Sequence, residues 1–196
     1  FKAILRNEFP DQIVLDLAIR YARIGRSSEA VSLLENHLAD ATDPMVALWL
    51  GYLTEDAKYV EQATTINNGI GKPYRVESLP VLEWARSHSS HWLMPYMQGL
   101  NLWALARQDE TLPLWVDLAN TPDHAAFYVA RANLASQLNQ TDPKPDLLQS
   151  VAQDDANRLT HVELVRHFQS AGMWQQAMDW IKKITQHWPD DFNLQL

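Results

Sequence analysis

The residues able to do chemistry are few and scattered. His88-Ser-Ser-His91 sets two imidazoles three residues apart, a spacing found in some metal sites, but no third ligand lies nearby in sequence. A zinc site needs at least three converging protein ligands. His161, Glu163 and His167 do not form His-Glu-x-x-His, and the two histidines are six residues apart, on different faces of a helix. Asp109-Glu110, Asp154-Asp155 and Asp190-Asp191 are acidic pairs. Beside helix ends such pairs cap N–H groups and face water more often than they form an acid–base dyad. There is no Gly-rich phosphate loop, no Gly-x-Ser-x-Gly elbow and no dinucleotide fingerprint. We therefore expect no catalytic residue, no metal and no cofactor.

The eight tryptophans, Trp49, Trp84, Trp92, Trp103, Trp115, Trp174, Trp180 and Trp188, carry the other chemical option. Flat apolar rings stack on sugars or bases, but they fill helix–helix grooves at least as well. Trp103 and Trp174 fall at interlocking helical positions, so packing explains them. Trp92 and Trp115 fit that pattern least and are expected to be partly exposed.

Composition narrows the partners. The chain has 196 residues, 46% hydrophobic and 20% charged, with a formal net charge of −8 from 16 basic and 24 acidic residues. Phosphate backbones are bound by Lys and Arg, so a nucleic acid is a poor partner. An anionic membrane surface is disfavoured for the same reason, and no run approaches the ~18 apolar residues of a membrane span. Cysteine is absent, which removes disulfides and thiolate chemistry without fixing a compartment. The opening Phe1-Lys2-Ala3-Ile4 has no Met, and reads as a fragment or a processed product.

The elements that must position these residues are helices at a fixed period. His161, Leu164, Val165, Phe168, Gly172, Trp174, Ala177, Ile181, Ile184 and Pro189 have the spacing of one tetratricopeptide repeat, a helix-turn-helix of about 34 residues. Val14, Leu17, Ala18, Tyr21, Gly25, Ala30 and Leu34 repeat it, with Gly25 and Gly172 in the same place between two helices. A third unit starts near Met45, where Thr54 before Glu55-Asp56 suggests a helix cap, its second helix ending near Ile66. Further units start at Tyr96 and Phe127, 31 residues apart, and His161 follows 34 later. The period breaks near residues 67–80 and 140–146, at Gly and Pro. Ser78 is placed to cap a helix ending near His88, and a further helix is expected from about Asp146 to Gln153. About eleven or twelve helices and no strand are expected.

The pattern resembles the tetratricopeptide superfamily. In order it is similar to the helical C-terminal region of large bacterial proteins whose N-terminal part is a domain of unknown function. Leu17-Ala-Ile-Arg-Tyr21, Leu48-Trp-Leu-Gly-Tyr52, Lys72-Pro-Tyr-Arg75, Leu82-Glu-Trp-Ala85 and Ala126-Phe-Tyr-Val-Ala-Arg-Ala132 carry that likeness. It implies an all-α, right-handed superhelix of antiparallel helix pairs, a single repeat domain over residues 1–196, and an interaction or scaffold role beside a β-rich, carbohydrate-related domain. Relatives that grip chaperone tails use Lys and Asn on inner helices. The matching positions here are Leu15, Ile19 and Trp49, which donate no such bonds.

On this register Arg23, Asn101, Tyr128, Arg166 and Gln169 point towards the concave surface. Long polar side chains there suit an extended peptide, a protein partner or a neighbouring domain of the same chain. The leading expectation is a non-catalytic protein-interaction or scaffold module. The alternative is an accessory domain of a carbohydrate-active enzyme, packing on its catalytic domain or holding sugar on Trp92 or Trp115. The oligomeric state is open.

Overall fold

A computed structural model describes residues 9–66 and 73–189. Asp190-Asp191 and the 67–72 part of the first expected break lie outside the described residues. Among the described residues there are eleven helices and no strand. The chain groups into two compact units, Phe1–Trp115 and Val116–Leu196.

The first unit holds α1 (Pro10–Arg23), α2 (Ser27–Leu38), α3 (Pro44–Thr54), α4 (Lys58–Thr65), α5 (Ser78–His88), α6 (Leu93–Ala104) and α7 (Gln108–Val116), whose last residue passes the boundary. Val14 and Ala18 of α1 and Ala30 and Leu34 of α2 are buried without remainder, so the two helices close on small residues. α3 is apolar on every side and packs against α1, α2, α4 and α5. That surround explains why a run such as Met45–Leu50 tolerates no polar residue. The second unit holds α8 (Ala125–Leu138), α9 (Lys144–Gln153), α10 (Arg158–Ser170) and α11 (Trp174–His187). Its core joins Ala132, Leu147, Val151, Leu164, Phe168 and Ala177, with Trp180 against them.

Five helix ends close in the same way. After α1, Arg26 N–H reaches Tyr21 O (2.9 Å) and Gly25 N–H reaches Ala22 O (3.0 Å). After α10, Met173 N–H reaches Phe168 O (2.8 Å) and Gly172 N–H reaches Gln169 O (3.1 Å). This is the Schellman cap, and it needs a left-handed residue, here Gly25 at φ +79° and Gly172 at +71°. Glu55 (φ 54°), Ala106 (φ 60°) and Asn139 (φ 52°) take that conformation after α3, α6 and α8. The hairpins α1–α2, α3–α4, α6–α7, α8–α9 and α10–α11 thus fall at the starts read from sequence. α5 is an inserted helix that packs on α3 and α6.

Three local expectations are corrected. Thr54 ends α3 instead of capping α4: its hydroxyl donates to Leu50 O at 2.8 Å. Asp56, two residues before α4, accepts Lys58 N–H at 3.1 Å. Ser78 is the first residue of α5, with no side-chain cap bond there. The helix expected from Asp146 begins at Lys144.

Candidate interaction surface

α1 presents a polar stripe. Gln12, Asp16 and Arg23 recur at i, i+4 and i+11, which is one face of a helix. That face holds the stretch of chain just before α5. Arg75 reaches Gln12 Oε1 with Nη1 at 2.7 Å, and Asp16 Oδ1 with Nε at 2.9 Å and Nη2 at 2.6 Å. Arg23 reaches Glu77 at 3.1 Å. From α6, the Asn101 amide donates to Pro73 O at 2.6 Å and to Arg75 O at 2.8 Å. The Arg75 guanidinium also lies 4.4 Å from the centre of the Tyr74 ring.

Below the stripe sits a buried network that sequence reasoning missed. Asp11 Oδ1 lies 2.5 Å from His37 Nε2, and its other oxygen accepts Thr42 N–H (2.9 Å), Thr42 hydroxyl (2.8 Å) and Asp43 N–H (2.8 Å). Asp43 caps α3 through Met45 N–H at 2.9 Å and accepts Gln12 Nε2 at 2.7 Å. Burial alone raises the Asp11 carboxyl, but the hydrogen bonds from His37, Thr42 and Asp43 outweigh it and hold it below its ordinary value. Burial raises Asp43, with repulsion from Asp11 added, against the Met45 N–H. Pro10 before Asp11, and Asp43 before Pro44, were visible signals of two helix starts. The pairing of the two starts was hidden by a sequence separation of 31 to 32 residues.

The second unit has a comparable grip on the connection before α8. Tyr128 donates its hydroxyl to Pro122 O at 2.7 Å, and Gln153 Nε2 to the same oxygen at 3.0 Å. Arg131 is paired bidentately with Asp146 (2.8 and 2.6 Å), and its Nη1 donates to Ala119 O at 2.7 Å. Phe127 packs under its guanidinium at 4.8 Å.

The sequence-derived surface residues divide accordingly. Asn101 and Tyr128 are fully buried and spent on main-chain carbonyls of this chain, so they do not line an open surface. Arg23 is exposed and tied to Glu77. Arg166 and Gln169 are exposed on α10, with Arg166 2.7 Å from Glu163. Trp115, expected to be partly exposed, is fully buried: its indole lies over Gly99, where a Cβ would overlap it, and donates to Tyr96 O at 3.3 Å. Trp92 is half-buried. Trp174 is corrected the other way. It is 65% exposed at the start of α11, while Ala177 and Ile184 make the interlocking contacts there. Met178, one turn on, is 53% exposed.

The histidines do structural tasks. His88 Nδ1 lies 2.8 Å from Trp84 O, and His91 Nδ1 accepts Leu93 N–H at 3.2 Å at the start of α6. His161 lies 2.9 Å from Asp155 O and packs against the Trp180 and Trp188 rings, whereas His167 faces Asp142 at 3.3 Å. Among the described residues no three His, Asp or Glu side chains are grouped to hold a metal, and no helix is long and apolar enough to cross a membrane.

No family model matches the chain, and no curated protein matches it. Solved structures do. MamA RS-1, as the ArsTM double mutant, is 15% identical, with 93% of this chain and 96% of that chain covered at a TM-score of 0.51. MamA AMB-1 is 22% identical over 87% and 94%, at 0.50. A thermophilic TPR protein of Thermus thermophilus is 18% identical over 94% of each chain, at 0.49. The chain shares the fold of MamA, and by the spacing and closure of its own hairpins that fold is tetratricopeptide-like.

Proposed function

We propose that the chain is a non-catalytic protein-interaction module. Trp174 and Met178 carry the reading: two large apolar side chains, more than half exposed, stand one turn apart on α11. Exposed apolar side chains grouped on one face mark association surfaces. Arg166 and Gln169 stand exposed on the other helix of the same hairpin. Trp and Arg dominate the binding energy of protein interfaces, which favours a protein partner over a small molecule. The sugar-holding reading loses Trp115, whose ring has no free face.

The test is affinity capture with wild type and with Trp174→Ala/Met178→Ala. Both positions point away from the core, so the variant should melt with the wild type. A partner retained by wild type and lost by the folded variant supports the reading. Equal retention removes this surface as the site.

A further inference from the structure

α11 repeats the register of α2 but lacks its cover. Counted from Gly172 and Gly25, its Ala177, Met178 and Ile181 are the counterparts of Ala30, Val31 and Leu34. Ala177 and Ala30 are both buried. α2 packs against both α1 and α3, and there Leu34 is fully buried and Val31 half-buried. α11 packs against α10 and is the last helix among the described residues. Its Met178 is 53% exposed and its Ile181 only half-buried.

Trp174, Met178, Ile181 and Thr185 recur at i, i+4, i+7 and i+11, the seam along which one helix packs on another. The seam therefore suits a helix. Its border says which one. Lys182 and Asp179 stand on the solvent side of the seam, 68% and 61% exposed, and their mutual pair is long at 3.8 Å.

These features complement themselves when a second α11 runs antiparallel across a two-fold axis. An axis centred between Met178 and Ile181 sets Trp174 against the small Thr185 of the second copy, and Met178 against its Ile181. Lys182 then comes within about 3 Å, along the helix axis, of the level of Asp179 in the second copy. Two-fold symmetry makes that approach twice. A parallel pair would instead set Trp174 on Trp174 and Lys182 beside Lys182. Antiparallel helix dipoles also attract.

We infer that the exposed face of α11 is a self-association surface whose occupant is α11 of a second copy, in an antiparallel two-fold pair. The inference rests on the reading of Trp174 and Met178 as an association surface, and names the partner. Four residues a side is far below the roughly 20–30 of a standard interface, so the pair is weak and forms at high concentration.

The test is sedimentation velocity at concentrations up to about 1 mM. Wild type should pass from monomer to dimer. Lys182→Glu leaves only acids on the border and should weaken the dimer at least about tenfold, as should Asp179→Lys, which leaves only cations. Asp179→Lys/Lys182→Glu restores opposite charges with the signs exchanged, and should recover the wild-type affinity. An equimolar mixture of the two single variants should form the mixed dimer. Both positions are exposed, so these chains fold. A monomer at every concentration, growth past the dimer, or a double variant no better than the single ones overturns the inference. So does a dimer unchanged in Trp174→Ala/Met178→Ala. A monomeric wild type that still captures a partner through Trp174 and Met178 overturns the second copy as occupant and leaves the proposed function standing.

Discussion

Each unit pins a connection between helices by donating to its main-chain carbonyls, but the two grips differ. Before α8, the donors Tyr128 and Arg131 are buried, and Arg131 is locked to Asp146 by two hydrogen bonds. Before α5, Asn101 is buried, yet the charged arms are open: Arg23 and Asp16 both stand more than half exposed. Ion pairs in water contribute little, and charged groups out of water fail badly when one partner is removed. The second unit therefore has a staple and the first has a clasp. A long polar side chain serves either purpose.

The sharpest way to break this contrast is Arg131→Ala. It strands the Asp146 carboxylate and the Ala119 carbonyl, and should cost about 3 to 5 kcal/mol in chemical denaturation. A loss below about 1 kcal/mol would make the staple no firmer than the clasp.

Asp11→Asn comes next, because it shows that the first unit also has a rigid part beneath its clasp. It should cost about 2 to 3 kcal/mol at neutral pH, as four donors lose a charged acceptor. The Asp11 carboxyl is held below its ordinary value in the folded chain. Its contribution is therefore full above the unfolded value of about 3.9 and is lost as pH falls through the lower folded value. Asp43 has the opposite sign and is present in both chains, so the comparison must be made between them. The gap between variant and wild type should narrow steadily below about pH 4. A gap that is flat, or that widens, would remove the Asp11 assignment.

The helix caps offer a smaller and more even comparison. Gly25 and Gly172 have open space where a Cβ would go, so Gly25→Ala and Gly172→Ala should each cost about 1 kcal/mol from the left-handed backbone alone. Ala106→Gly should recover up to about 1 kcal/mol by the same reasoning in reverse. Thermal melts of the three check this, and a stabilised Gly25→Ala would refute it. The smallest effect belongs to Glu77→Ala, expected below about 0.5 kcal/mol because the Arg23 pair is exposed.

Those caps also explain how much of the fold was legible. The two repeats that read clearly in sequence close on Gly25 and Gly172, which are obvious left-handed residues. The three weaker ones close on Glu55, Ala106 and Asn139. Tertiary packing holds Glu55 and Ala106 in a conformation their side chains disfavour, so no local signal marks those turns. The candidate site was legible only halfway. The register read Asn101 and Arg23 as polar residues facing a partner on the concave surface, whereas both bond a segment of this chain. It did not reveal that the segment is Pro73–Glu77, because the path of a connection depends on which helix packs on which. Trp115 and Trp174 exchanged their expected environments for a similar reason. Gly99 opens a slot for the Trp115 indole, and the first residue of α11 sits outside the interlocked turns.

The most direct measurement is a pair of double-mutant cycles, Arg75 with Asp16 and Arg131 with Asp146, each taken to alanine and read by denaturation. A clasp beside a staple predicts that the second coupling exceeds the first by about 2 kcal/mol. Equal couplings would contradict it, and with it the distinction between a partly exposed ion pair in the first unit and a buried one in the second.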